Sequence, residues 1–98
     1  NLVGTLNLLQ CMADSGVRKA VLASSMAVYA DSPRPEPLRE DAPLRPISPY
    51  GVAKLAAEQY WLLMGRHFGL PTTALRYFNT YGPGQTPTPY VGVITIFI

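Results

Sequence analysis

Residues 48–78 read SPYGVAKLAAEQYWLLMGRHFGLPTTALRYF, and this stretch decides the fold. Ser48 suits a helix cap, because a serine hydroxyl accepts a bond from an otherwise unpaired first-turn N–H. Pro49 fits the first turn, where its missing N–H costs nothing. Tyr50 to Phe68 is rich in Ala, Leu, Lys, Glu and Gln, all good helix formers, and Gly69-Leu70-Pro71 ends the run. Thr72 to Phe78 then reads as a buried strand.

Working outward, Leu2, Leu6, Leu9 and Met12 recur at three- and four-residue steps, the mark of an amphipathic helix. Gly16 is its expected stop. Lys19 to Ala23 is a short apolar run of buried-strand type. Residues 31–49 hold Pro33, Pro35, Pro37, Pro43, Pro46 and Pro49 and must form a long loop, a kind that usually serves as a lid or binding segment. Gly82-Pro83-Gly84, Pro87 and Pro89 mark another loop, and β-branched Val91–Ile98 reads as a strand on propensity. Helix, strand, loop, helix, strand, loop is the order of an α/β protein with a parallel sheet. In such folds ligands bind beyond the carboxyl ends of the strands, here Ser24-Ser25 and Phe78-Asn79.

Composition narrows the function classes. The 98 residues are 48% hydrophobic and 14% charged, with a net charge of +2, and no Lys/Arg cluster offers a footprint for nucleic acid. No apolar run reaches the ~20 residues of a membrane span. Cys11, the single cysteine, lies within the apolar pattern of the first helix and reads as a small buried hydrophobe. One cysteine and no signal peptide lead to an expected cytoplasmic location. The chain opens at Asn1 inside a helical pattern and stops on an apolar run with nothing after it to cover it, so an internal piece of a longer protein is expected, inactive by itself.

Tyr50 and Lys54 stand four residues apart, on one helical face and one turn from each other. A phenol with a pKa of about 10 is a poor base at neutral pH. A nearby ammonium stabilises the phenolate and makes the tyrosine a usable proton acceptor. Tyr-x-x-x-Lys alone also occurs by chance in many helices. Ser24-Ser25, at a strand end 25 positions before Tyr50, offers a hydroxyl to orient such a transfer or merely to cap a loop. No histidine or acid is spaced to make either serine a nucleophile. His67 sits beside Arg66 at a helix carboxyl end, where a positive group complements the dipole. Tyr29 reads as packing, and no Cys, His, Asp or Glu cluster suggests a metal.

Taken in order, Asn1-x-x-Gly4-Thr5, Ser24-Ser25-Met26-Ala27-Val28-Tyr29, Ser48-Pro49-Tyr50-Gly51-x-x-Lys54-x-x-x-Glu58 and Arg76-Tyr77-Phe78-Asn79-x-Tyr81-Gly82-Pro83-Gly84-Gln85 are far more specific. This series resembles the extended short-chain dehydrogenase/reductase family, in particular its NAD-dependent sugar-nucleotide epimerases and dehydratases. The resemblance implies that residues 1–98 are part of a Rossmann-like, doubly wound parallel sheet lacking its amino-terminal βαβ units. Residues 79–98 would lead into the substrate region. It implies a catalytic Ser25, Tyr50 and Lys54, with Tyr50 as base and acid. Asn1, Ala23, Ser24, Tyr50, Lys54 and Tyr77 would lie on the cofactor NAD, and Ser25, Met26, Tyr50, Phe78 and Asn79 on a nucleotide-sugar substrate.

The same resemblance implies epimerisation at carbon 4 through a keto sugar, and a homodimer paired through the two helices. Ala56, Ala57, Tyr60, Leu63 and Met64 offer an apolar face for that pairing, or for ordinary packing. The family's glycine-rich dinucleotide turn is missing, because the chain starts too late. Ala30 replaces a common glycine. Met26 and Ala27 stand where the 4,6-dehydratases carry acids, and the decarboxylases usually keep a Glu at the position of Ala27; both subfamilies are therefore disfavoured. Two alternatives stand beside the epimerase. One is an NADP-dependent reductase, reductase-epimerase or dehydratase on the same frame. The other is a non-catalytic dinucleotide-binding or truncated pseudo-enzyme.

Overall fold

The computed structural model describes residues 2–31 and 36–86. Helix α1 spans Leu2–Asp14, strand β1 Ala20–Ser25, helix α2 Pro49–His67 and strand β2 Thr72–Tyr77. A 3-10 turn at Met26–Val28 follows β1 directly. Ser48 caps α2 as its hydroxyl requires, its Oγ accepting from the Gly51 N–H at 3.0 Å, with Pro49 in the first turn. Gly16 and Gly69, both at positive φ (68° and 66°), follow the two helices.

The strands pair in parallel, with Ala20 opposite Thr72 and so on to Ser25 opposite Tyr77. Parallel neighbours cannot be joined by a tight turn, and α2 supplies the crossover. Strand alternation sends Ala20, Leu22 and Ser24 inward, where Leu9, Ala20, Trp61 and Leu70 form the core with Met12, Leu22, Met64 and Phe68 against it. The Trp61 indole is 2% exposed, and its N–H meets no acceptor among the described residues, so it contributes by packing. Val21, Leu75 and Tyr77 alternate onto the opposite, exposed face of the sheet. No described helix is long and apolar enough to cross a membrane.

Two sequence expectations change here. Cys11 is exposed rather than buried. Leu9 sets the inward face of α1, and two residues further is a rotation of about 200°. On α2, the proposed apolar face divides: Ala57 and Met64 join the interior, whereas Tyr60 and Leu63 are exposed. The expected strand at Val91–Ile98 and residue Asn1 lie outside the described residues.

Gly51 sets how close α2 comes to the turn after β1. A Cβ at this buried position would collide with the Ala27 carbonyl oxygen and lie 2.9 Å from the Pro46 Cβ. Alanine would gain about 1 kcal/mol of helix propensity. The clash is with backbone that cannot rotate away, and overpacking of this kind costs on the order of 1–3 kcal/mol or more. Gly51→Ala is therefore expected to lower the urea midpoint. An unchanged or raised midpoint would show that the turn and α2 separate freely.

Candidate active site

Tyr50, Lys54 and Glu58 follow at four-residue steps and share one face of α2, laid across the carboxyl end of β1. The Lys54 Nζ donates to the Ala23 carbonyl oxygen at 2.8 Å, and it stands 5.8 Å from the centroid of the Tyr50 ring. The Tyr50 side chain is half exposed. One of the three ammonium N–H groups is spent on Ala23, and two are left to bind elsewhere.

Ser25 ends β1 and caps the 3-10 turn, its Oγ accepting from the Ala27 N–H at 3.2 Å. That bond takes a lone pair and leaves the hydroxyl hydrogen to donate. In the sheet register Ser25 sits beside Tyr77. The same turn presses on Gly51, the residue after Tyr50, so the ends of the two strands and the start of α2 meet in one place. Met26 lines a concavity of about 470 Å³ with Ala27, Tyr29, Leu38, Ile47 and Ser48, a volume within the usual range for small-molecule sites. Phe78 packs its ring 6.3 Å from that of Tyr29, and Asn79 is exposed just beyond β2.

Ser24 turns the other way. Its hydroxyl, 4% exposed in its residue, donates to the Glu58 Oε2 at 2.7 Å. Glu58, 2% exposed, also takes the Arg76 guanidinium, with Nε at 3.1 Å from both carboxylate oxygens and Nη2 paired to Oε1. The Arg76 Nη1 donates to the Tyr29 hydroxyl and to the Glu40 carbonyl, each at 2.9 Å. Burial pushes the Glu58 carboxyl up, but the hydrogen bonds from Arg76 and Ser24 and the Arg76 charge outweigh it, leaving the carboxyl below its ordinary 4.5. Sequence reasoning gave Glu58 and Arg76 no role. The available signal was an acid on the Tyr50–Lys54 helix face, with an arginine on the neighbouring strand. Among the described residues, no group of His, Cys, Asp and Glu could hold a metal ion.

A phenol, an ammonium and a hydroxyl at the carboxyl ends of parallel strands are the parts of a proton-transfer site beside a ligand crevice. The profile of the NAD dependent epimerase/dehydratase family matches residues 1–98, and the chain belongs to that family. It is 41% identical over 98 residues to a putative UDP-glucose 4-epimerase of Methanocaldococcus jannaschii, covering all of this chain and 32% of that protein. In structure it is similar to the Thermus thermophilus UDP-glucose 4-epimerase solved with NAD: TM-score 0.87, 44% identity, 98% of this chain and 31% of that one. It is likewise similar to a UDP-N-acetylglucosamine 4-epimerase of Methanobrevibacter ruminantium in complex with UDP-N-acetylmuramic acid: TM-score 0.87, 37% identity, 99% of this chain and 31% of that one. The chain thus spans about a third of the length of these relatives, and the two solved structures are Rossmann-type α/β folds.

The depressed Glu58 carboxyl fixes a pH dependence. A group whose folded value is lowered contributes stability that is complete above its unfolded value, near 4.5, and is lost as pH falls through the folded value. The urea midpoint of the chain is expected to drop on acidification below that value more steeply than that of Glu58→Gln. Parallel curves for the two proteins would remove Glu58 from the acid response.

Proposed function

We propose that the complete protein carrying this sequence is a nucleotide-sugar epimerase that inverts carbon 4 through a keto sugar, with NAD as cofactor. The observation that carries this reading is the placement of Lys54, bonded to the Ala23 carbonyl at the strand end and 5.8 Å from the Tyr50 ring. The donor set fits a nicotinamide riboside: two remaining Lys54 N–H groups suit ribose hydroxyls, and the strand ends at Ala23 and Tyr77 offer backbone beside a ring. Ser24 spends its side chain on Glu58, so any cofactor contact there falls to its backbone. When bound, NAD supplies a hydride acceptor and donor at the sugar carbon.

The residues of this chain do the rest. Lys54 holds its ammonium one helical turn from Tyr50, 5.8 Å from the ring centroid. Tyr50 takes the proton of the carbon-4 hydroxyl and later returns it. Ser25, one of its lone pairs occupied by the Ala27 N–H, donates its hydroxyl hydrogen to the same sugar oxygen and holds it through both transfers. The concavity beside Met26, with Phe78 and Asn79 beyond the second strand, would receive the nucleotide sugar. Since the named relatives act on different sugars, the substrate class is the nucleotide sugar rather than one hexose.

In the complete protein, Tyr50→Phe is expected to lower turnover by about 10²–10⁴-fold while the dissociation constant for NAD stays within a few-fold. Assay with UDP-glucose and UDP-N-acetylglucosamine should give the epimer with no net cofactor consumption. Unchanged turnover removes Tyr50 from the mechanism, and stoichiometric consumption of a reduced cofactor replaces the epimerase with a reductase.

The exposed Tyr60 and Leu63 (45% and 62%), together with the family resemblance, support pairing of two copies through α2. Sedimentation of Leu63→Arg is expected to show monomer where the unmodified protein is a dimer. An unaltered dimer places the interface elsewhere.

A further inference from the structure

Three segments that meet at the candidate active site come from distant parts of the chain, and one buried carboxylate touches or reaches all of them. Glu58 receives the Ser24 hydroxyl, the immediate neighbour of Ser25, at 2.7 Å. It receives the Arg76 guanidinium, the immediate neighbour of Tyr77, through both Nε and Nη2. Through Arg76 it also reaches the Tyr29 hydroxyl after the 3-10 turn and the Glu40 carbonyl in the proline-rich loop. Ser24 and Arg76 are cross-strand partners, so the carboxylate bridges the last inward-facing rung of the sheet. Tyr29 is itself clamped, with the guanidinium carbon 4.9 Å from its ring centroid on one side and Phe78 on another.

From this geometry we infer that Glu58 is a positioning residue: through Ser24 and Arg76 it sets the register of Ser25, Tyr77 and the substrate-side loop against Tyr50 and Lys54. Nothing in the arrangement brings Glu58 to a reacting atom, since its side chain is almost fully enclosed. It acts by rigidity. Tyr50, Lys54 and Glu58 lie on one stiff helix face, so an anchor at the deepest of the three fixes where the other two stand relative to the strand ends. A hydroxyl displaced by about 1 Å from a transferring proton can cost ~10²-fold in rate. An apolar residue would fill the same space without tying Ser24 to Arg76, and a carboxylate with two acceptor oxygens is the simplest group that bonds both.

This inference rests on the epimerase reading for its kinetic consequence, but not for its structural one, and the two are tested separately. In the complete protein, Glu58→Gln keeps the shape and one acceptor oxygen while weakening the grip on Arg76 and Ser24. Its kcat is expected to fall by roughly 10–100-fold, with KM and the NAD dissociation constant within about 3-fold. Ser24→Ala, a milder variant that leaves the ion pair intact, is expected to lower kcat less. Its effect should be largely lost in the Glu58→Gln background, because both break one chain of contacts. Independently of any reaction, hydrogen exchange at the Ala27 amide, which bonds Ser25, should quicken in Glu58→Gln, while exchange in α1 stays as before. A well-folded Glu58→Gln with parental kcat and parental exchange at Ala27 overturns the inference. Faster exchange at Ala27 in a protein that shows no epimerisation at all upholds the positioning role and instead sinks the proposed reaction.

Discussion

The close approach of α2 to the carboxyl end of β1 is the constraint from which the rest of this structure follows. A parallel pair of strands needs a crossover, and the crossover helix here starts against the end of β1 although residues 26–48 lie between them in sequence. Here the start is held at three successive depths. Gly51 admits the Ala27 carbonyl, Lys54 grips the Ala23 carbonyl, and Glu58 receives the Ser24 hydroxyl. Below these polar contacts Trp61 of the helix shares a core with Ala20 of the sheet, Leu9 and Leu70, where burial of apolar surface supplies the stability. The polar contacts contribute mainly specificity of placement. Hydrophobic packing tolerates sliding by a fraction of an ångström, whereas hydrogen bonds at 2.7–2.8 Å do not.

The Glu58–Arg76 pair shows how such placement can be sustained at acceptable cost. Enclosing a carboxylate is expensive unless its oxygens are bonded and its charge is matched. Both oxygens of Glu58 are used, and the guanidinium meets them through two nitrogens. Arg76 in turn keeps its outer edge toward the Tyr29 hydroxyl and the Glu40 carbonyl, so its charge is not left in an apolar pocket. The lowered titration of Glu58 records the outcome: attraction and hydrogen bonding outweigh desolvation.

How much of this was legible from residues alone depends on the range of the interaction. Ser48 and Pro49 announce the start of α2, and Gly69 and Pro71 its end, because caps and breakers act over three or four residues. The parallel order follows from the alternation of helix and strand. The 3-10 turn after Ser25 was not expected, since its apolar residues carry no local turn signal and it forms against α2. Cys11 misled for a related reason: the periodicity defined a helix, but which side of it faces inward is set by where Leu9 docks. Tyr50 and Lys54 stood out through their spacing, whereas the role of Glu58 did not, because it depends on partners 34 and 18 positions away.

The four-residue spacing that made Tyr50 and Lys54 conspicuous has a deeper use once Glu58 is counted. Along this one face, exposure falls from half at Tyr50, through the intermediate Lys54, to 2% at Glu58. A proton-transferring phenol must reach a ligand, so it belongs at the open end. An ammonium placed to bind a ligand beside the phenol belongs in between, fastened by one bond and free to use its others. A carboxylate meant only to hold strands in place belongs at the bottom, where low dielectric strengthens its bonds and no ligand competes for them. Reversing the order would bury the phenol beyond reach and leave the anchor to water, where an exposed ion pair is worth little. With the roles proposed for these residues, depth along a single helix face separates holding from reacting, and the separation depends on α2 keeping its close seat on the strand end.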